Sequence, residues 1–188
     1  MAGDLPSRDE AWALLAEHTE KDGLRKHALA VEAAMREYAR HLGEDEERWG
    51  IAGLLHDFDY ERWPDPADHP YRGVEILERL GYPEDVRTAI LGHASYTGVR
   101  RETAMAKTLF AVDELAGFVV AVALVKPGRS LAEVDVRSVE KKLKDKAFAR
   151  GVHRDEVYAG AAELGVDFRE HVERVIAGLR KSAETLGL

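Results

Sequence analysis

The sequence predicts an all-α protein, and three observations support this fold class. Apolar residues recur three and four positions apart over most of the chain, which is the spacing of one face of an α-helix. Serine or aspartate precedes several of these segments, and glycine follows others, as at helix starts and ends. Strand-like alternation is confined to residues 134–136. We therefore expect a helical bundle with a helical C-terminal extension.

Six helices are predicted in the first two thirds of the chain. Ser7 and Glu10 have the spacing of a capping box, which starts the first helix. Gly43 and Gly81 end the second and fourth helices, because glycine readily adopts the left-handed conformation that often follows a helix. Pro83 starts the fifth, where its missing N–H costs least. The predicted segments are residues 7–19, 24–42, 45–57, 71–80, 83–94 and 103–125.

Three further helix starts are predicted beyond the segment KPGRS, where the composition changes. Ser130 with Glu133, and Asp167 with Glu170, have the capping-box spacing. Ser138 is a residue type favoured at helix N-termini. These signals predict that the extension is helical as well.

The length is that of one ordinary domain with an extension packed on it as a single globular unit. We assign residues 1–125 to the helical domain and residues 126–188 to the extension. The longest apolar run, residues 108–125, contains Asp113 and Glu114. Charged residues within such a run favour a buried helix over a membrane span, so we expect no membrane partner.

Composition also bounds the partners and the compartment. The net charge of -8 argues against a nucleic-acid polymer as partner, because phosphate backbones attract basic surfaces, but it leaves room for a small anionic substrate. The absence of cysteine excludes disulfides and thiolate metal sites and fits a reducing cytoplasm. The segment MAGDLPSRDEAW lacks the basic start and apolar core of a signal peptide. We expect a cytoplasmic protein.

The eight histidines fall into two groups. His18, His41, His153 and His171 have charged neighbours in sequence, which favours solvated or capping roles. The other four lie at the apolar face or the end of a predicted helix, or in the loop before one. They form an ordered series with two aspartates, and the series is His27, His56, Asp57, His69, His93 and Asp113.

Each member of this series has an ordinary structural explanation when it is taken alone. A buried histidine is usually satisfied by a hydrogen bond, and Asp113 could cap a helix or pair with an arginine. Taken together, several separate helices would each deliver a metal-type ligand toward one interior, as in helix bundles that build metal sites from inward-facing side chains. Only nitrogen and oxygen ligands are available, which indicates iron, manganese, cobalt, nickel, zinc or magnesium.

The ordered series resembles that of the HD-domain superfamily of metal-dependent phosphohydrolases, over about residues 24–124. The segment HPYRGVEIL resembles the one by which dinuclear members supply an extra histidine, AILGHASYTG resembles their next ligand helix, and AVDELAG resembles the helix with the final aspartate. The C-terminal segment SVEKKLKDKAFARGVHRDEV resembles that of small standalone bacterial HD proteins.

The resemblance implies two divalent ions. His27, His56, Asp57 and Asp113 would hold the first, and His69 and His93 would hold the second with Asp57 bridging. Two ions about 3.5–4 Å apart would acidify a shared water, and the metal-bound hydroxide would attack phosphorus in a nucleotide or another small phosphate ester. Asp57 and Asp59 are the expected catalytic residues. Asp59 could orient a ligand histidine or activate water, and a solvated loop acid is its alternative.

Phosphate contacts are expected from basic residues outside the ligand series. Many family members read HD-x-x-Lys with the lysine positioned for phosphate, but the corresponding residue here is Tyr60. The cation must then come from elsewhere, either from the region around the His-Asp pair or from a basic helix in the extension. The candidates are Arg25, Lys26, Arg62, Lys141 and Lys142. The alternative for the basic helix is a solvated charged face.

Two other function classes are compatible with the same residues. Some HD proteins use these ligands in a diiron oxygenase, and a metal-stabilised nucleotide-binding or regulatory module would need no turnover. Within the hydrolases, the six-ligand set resembles that of the symmetrically cleaving diadenosine tetraphosphate hydrolases.

Overall fold

In a computed structural model that describes residues 5–188, the chain forms ten α-helices and no strand over that range. Residues 1–4, which include part of the N-terminal segment considered above, lie outside the described residues. The all-α prediction is confirmed. The helices are α1 Arg8–His18, α2 Asp22–Leu42, α3 Glu46–Leu55, α4 Tyr71–Arg79, α5 Glu84–His93, α6 Ala104–Leu124, α7 Val136–Lys144, α8 Arg154–Leu164, α9 Phe168–Lys181 and α10 Ala183–Leu186.

The predicted signals fix the ends of the first helices. Ser7 and Glu10 form the capping box at the start of α1. The Asp45 carboxylate accepts hydrogen bonds from two N–H groups in the first turn of α3. Gly43 follows α2 in the left-handed conformation with φ of 72°, which glycine adopts without steric cost. Each of the six segments predicted before residue 126 coincides with one helix, and α2 begins two residues earlier than predicted, at Asp22.

The two longest helices, α2 and α6, pack against each other at the centre of the fold. The other side of α2 is covered by α3 and α9, while α5 and α8 cover α6. The core residues Val31, Met35, Leu115 and Phe118 are fully buried on these two helices. Burial of apolar area at about 25 cal/mol per Å² is the main favourable term in such a core. Because α2 and α6 lie inside, polar side chains on their inward faces require partners.

Residues 126–188 contact the preceding helices closely. Helix α8 packs on α6, and α9 packs on α2. Gly160 lies at the α8–α6 crossing, where a Cβ would stand 2.5 Å from the Cα of Ala111. Only glycine permits this approach of the two backbones.

Three expectations for the extension are corrected, and one helix there was missed. The segment after Ser130 forms only a 3₁₀ turn, Leu131–Glu133. Helix α7 starts earlier than predicted, because Asp135 is its N-cap and Ser138 completes the capping box from the third helical position. The alternation at residues 134–136 forms no strand, and α8 was not predicted. The segments at residues 131–136 are too short for their periodicity to separate turn, strand and helix.

Two of the histidines expected at the surface are buried. His18 is 7% exposed and its ring contacts Phe58, while His171 is fully buried between α9, α2 and α6. The Nε2–H of His171 donates to the carbonyl of Ala111 at 3.0 Å, so its Nδ1 accepts from the Tyr38 hydroxyl at 2.5 Å. Burial lowers the pKa of His171 to about 4. Charged sequence neighbours were misleading because they occupy the opposite face of the same helix.

No helix within residues 5–188 has both the length and the apolar character needed to cross a membrane.

The buried neutral His171 predicts a loss of stability in acid. An unfolded histidine has a pKa near 6.5, whereas the folded value is about 4, so the unfolded chain binds a proton first as the pH falls. In metal-free protein, we expect the free energy of unfolding to fall between pH 7.5 and 4.5 by about 2–3 kcal/mol more in the wild type than in His171→Gln. Urea denaturation at both pH values measures this. Equal losses would contradict it.

The helix crossing at Gly160 gives a second prediction. Gly160→Ala should lower the free energy of unfolding by about 1–3 kcal/mol, because the new methyl group meets the backbone of α6 and that backbone cannot move cheaply. Gly23→Ala is the matched control, since nothing lies within 4 Å of its added Cβ. The control should be neutral or more stable by about 0.5–1 kcal/mol. Urea denaturation that ranked the two variants equally would contradict the proposed contact.

Candidate metal centre

The structure brings all six predicted ligands together. His27 comes from α2, His56 and Asp57 follow α3, and His93 is the last residue of α5. His69 comes from the loop before α4, and Asp113 comes from α6. Three overlapping triads of these residues each place their nitrogen and oxygen atoms within 4.8 Å of one another.

One part of the cluster is centred on His27 and His56. The Nε2 atoms of these two residues lie 2.9 Å and 3.3 Å from Oδ1 of Asp113. They lie 3.9 Å and 3.4 Å from Oδ2 of Asp57. Donor atoms that surround one ion at about 2 Å are themselves about 3 Å apart, so this spacing suits a common cation.

The other part of the cluster uses the second oxygen of Asp57. Nε2 of His69 and Nε2 of His93 both lie 3.2 Å from Asp57 Oδ1. One carboxylate therefore faces two pairs of histidines, with a different oxygen turned to each pair.

Local hydrogen bonds fix the rings so that Nε2 faces the cluster. Nδ1 of His56 donates to the carbonyl of Gly53 at 2.7 Å, and Nδ1 of His93 donates to that of Ile90 at 2.5 Å. Each partner is three residues earlier, so the end of the helix itself anchors the ring. A donor Nδ1–H leaves a lone pair on Nε2, which is the tautomer that a metal ligand requires.

Asp59 anchors the ring of His69 in the same way. Its carboxylate accepts from Nδ1 of His69 at 2.8 Å and from the Gly73 N–H at 2.8 Å. Asp59 is fully buried, so the solvated alternative is wrong. It also does not line the cavity, and its contacts make it a positioning residue for His69. The nearby Glu61 carboxylate accepts from the N–H groups of Glu20 and Lys21.

The electrostatics of the cluster favour positive charge at its centre. Burial would lower the pKa of His56, but the carboxylates of Asp57 and Asp113 raise it well above 6.5. The pKa of His69 is raised to about 9, since Asp57 and Asp59 outweigh its burial. The histidines in turn hold the pKa of Asp57 well below its usual range against the effect of burial. The buried carboxylates thus attract protons onto the rings, and a cation can take the place of those protons.

One atom in particular supports a cation at the cluster. Nε2 of His56 is buried and has no hydrogen-bond partner among the described residues. A buried polar atom without a partner costs about 1–3 kcal/mol, and a coordinated ion would satisfy it. The donor set contains only nitrogen and oxygen, so the candidate ions remain those named above.

A cavity of about 560 Å³ lies over the cluster. Five of the six ligands line it, with only His56 below its surface. The rest of its wall includes two tyrosines near His69 and several polar residues from α6 and the region that leads into α8. These polar and aromatic residues are Tyr60, Tyr96, Ser95, Glu114, His153 and Glu156.

The five basic residues predicted to bind substrate do not line this cavity, and they are Arg25, Lys26, Arg62, Lys141 and Lys142. Both arginines donate to main-chain carbonyls near the end of α1. The Lys26 ammonium lies 3.2 Å from the Asp22 carboxylate, and the Lys142 ammonium lies 4.5 Å from the centre of the Phe148 ring. The extension does reach the cavity, but through residues 151–156 rather than through the lysines of α7.

Several cavity residues were missed in the sequence. Glu114 follows the ligand Asp113, and its interruption of an apolar helix was the one available signal. His153 was assigned a solvated or capping role, and it is the N-cap residue of α8. Tyr96 and Glu156 carried no signal, because their approach to the cluster depends on how α5 and α8 pack.

One protein-family model matches this part of the chain. The model of the HD domain matches residues 24–117, which is half of the chain and spans all six candidate ligands. No match was found among curated proteins or among solved structures.

The division of the cluster predicts the number of ions. His69→Ala or His93→Ala should lower the metal content of protein purified from metal-supplemented medium from about two ions per chain toward one. Each change removes a ligand from the pair that shares Asp57 Oδ1. Asp59→Asn should weaken binding of the same ion about 10–100-fold, because it disturbs the anchor of His69 without removing a proposed ligand. Elemental analysis and chelator competition measure both effects.

His41→Ala is the matched control, since His41 is exposed and belongs to none of the ligand triads. It should keep the wild-type metal content. A wild-type protein that binds a single ion at saturating metal would contradict the two-ion prediction.

Proposed function

The chain belongs to the HD-domain family, whose members are mostly metal-dependent hydrolases, and we propose that it is a metal-dependent phosphohydrolase acting on a nucleotide or another small phosphate ester. The observation that carries the proposal is the position of Asp57. Its two oxygens face two different pairs of histidines at the floor of a cavity that is open to small molecules.

The ligands proposed for the first ion are His27, His56, Asp57 and Asp113, and those for the second are His69, His93 and Asp57. When bound, such ions acidify a coordinated water and stabilise the charge that develops on a phosphoryl oxygen. The histidines have Nε2 free for this role because their Nδ1 atoms are already engaged as donors in three of the four rings.

The protein's own hydrogen bonds hold the proposed ligands in position and shape the cavity around them. The anchors on Nδ1 hold the rings of His56, His69 and His93 before any ion binds, which lowers the cost of organising the site. The Tyr96 hydroxyl donates to the carbonyl of His69 at 3.0 Å and so ties the cavity rim to a ligand. Such preorganisation is the main contribution that a protein makes to phosphoryl transfer.

The experiment that tests the proposal uses one sample for two measurements. Protein purified without added metal is analysed for its elements and then screened against phosphomonoesters and phosphodiesters. Release of inorganic phosphate or of a free alcohol supports hydrolysis. A mixed-valent diiron spectrum with no phosphate release would support the oxygenase, and tight nucleotide binding with no product over hours would support a regulatory module.

Asp57→Ala should abolish hydrolysis and remove bound metal while the helical circular dichroism spectrum is retained, because Asp57 is the one residue that faces both histidine pairs. Initial rates and metal content measure the effect. Lys141→Met and Lys142→Met should leave kcat/KM within about twofold of the wild type, since neither lysine lines the cavity. Turnover at the wild-type rate in Asp57→Ala would overturn the assignment.

A further inference from the structure

The cavity wall carries no lysine and no arginine among the described residues. This is unusual for a site proposed to bind phosphate, because such sites commonly add a fixed cation from a side chain. The wall instead carries two carboxylates beyond the proposed metal ligands, Glu114 on α6 and Glu156 on α8. The negative charge of the cavity wall therefore limits which phosphate compounds can bind.

Neither of these carboxylates has a cationic partner. Glu114 accepts one hydrogen bond, from the N–H of His153 at 3.2 Å, and Glu156 accepts one, from the Ser95 hydroxyl at 3.1 Å. In each case the other carboxylate oxygen makes no hydrogen bond within residues 5–188. Neither residue is within 4 Å of a lysine or arginine nitrogen in that range. Both side chains are half-buried, and a partly buried carboxylate without a counterion is costly.

The buried Nε2 of His56, which has no hydrogen-bond partner within residues 5–188, lies beneath the same cavity and points to a bound cation there. Two divalent ions would bring four positive charges to it. The cavity wall adds the carboxylates of Glu114 and Glu156 to those of Asp57 and Asp113. These two wall carboxylates oppose the charge of bound cations, so the wall favours a substrate with few phosphates.

Two tyrosine rings on the cavity wall also favour a ligand that carries a positive charge. Tyr60 and Tyr96 both line the cavity, and their rings are 41% and 53% exposed and available for contact. Tyrosine faces attract cations through the negative potential of the ring. Tyr60 also stands at the position where other family members place a lysine, so a cation-accepting ring replaces a cation.

From these observations we propose that the substrate is a small phosphate ester of low net charge that carries an ammonium group, and that Glu114 and Glu156 are the specificity-determining residues that pair with it. The inference rests on the proposed phosphohydrolase function and narrows it. The phosphate is directed to the metal cluster on the cavity floor, and the ammonium group is directed to the carboxylates that α6 and α8 contribute to the wall. Polyphosphate nucleotides are disfavoured, because each further negative charge would meet carboxylates instead of basic side chains.

The test compares ligands that differ only in the ammonium group. Metal-loaded full-length protein is titrated calorimetrically with 3-aminopropylphosphonate and with propylphosphonate, which contain no ester bond to hydrolyse. The corresponding phosphate esters, 3-aminopropyl phosphate and propyl phosphate, are compared by kcat/KM. We expect the amino compound to bind at least about tenfold more tightly, as for a charge-assisted hydrogen bond, and its ester to be hydrolysed with a similar preference.

Glu114→Gln and Glu156→Gln should each reduce this preference severalfold, and the double variant should abolish it. Glutamine keeps an oxygen to accept from His153 N–H or from Ser95, so the fold around the cavity is retained while the charge is removed. Glu173→Gln is the matched control, since Glu173 is exposed and does not line the cavity, and it should keep the full preference.

The possible outcomes separate the inference from the proposed function. Equal affinity for the two phosphonates, no measurable binding of either, or a preference that survives in the double variant would overturn the inference. Hydrolysis of both esters at equal rates would also overturn it and would leave the phosphohydrolase proposal intact. Preferential binding of the aminophosphonate without hydrolysis of either ester would support the pairing of Glu114 and Glu156 with an ammonium group and would contradict the hydrolase.

Discussion

The carboxylate of Asp57 lies between four imidazole rings, and the arrangement of the helices follows from bringing those rings to it. Oδ2 faces His27 and His56, while Oδ1 faces His69 and His93. The four rings come from α2, the end of α3, the loop before α4 and the end of α5. Burying such a carboxylate costs several kcal/mol unless positive charge or hydrogen-bond donors surround it. The cluster is therefore a constraint on the packing as well as a candidate metal centre.

Two of the four rings around Asp57 are held in place at the C-terminal ends of helices. His56 and His93 both end a helix and both donate Nδ1–H to a carbonyl three residues earlier. Carbonyl groups in the last turn of a helix have no partner further along the helix, so they are free to accept these bonds. The same bonds satisfy the orphan carbonyls and fix the ligand tautomer. Asp59 performs the equivalent task for His69, which lies outside any helix.

The extension completes the cavity and adds the Glu156 carboxylate to its wall. Helix α8 approaches α6 closely enough that Gly160 cannot carry a side chain without meeting Ala111. This contact brings residues 151–156 over the candidate metal centre, where Glu156 accepts from the Ser95 hydroxyl and His153 donates its N–H to Glu114. The packing of α8 on α6 thus determines which side chains of the extension lie on the cavity wall. Among them Glu156 is acidic, although the nearby helix α7 is basic.

The sequence by itself determined the helical fold class, the six segments before residue 126 and the ligand series from His27 to Asp113. These features are local: helix periodicity, caps and the order of histidines and aspartates can be read without knowing which helices touch. Tertiary structure alone placed Asp59 behind His69, buried His171 beside Tyr38, and put Glu114 and Glu156 rather than Lys141 or Lys142 on the cavity wall. Each of these depends on contacts between residues distant in sequence. The direction in which a charged helix faces is set by the apolar side it buries against its neighbours, and the charges on its surface do not encode that direction.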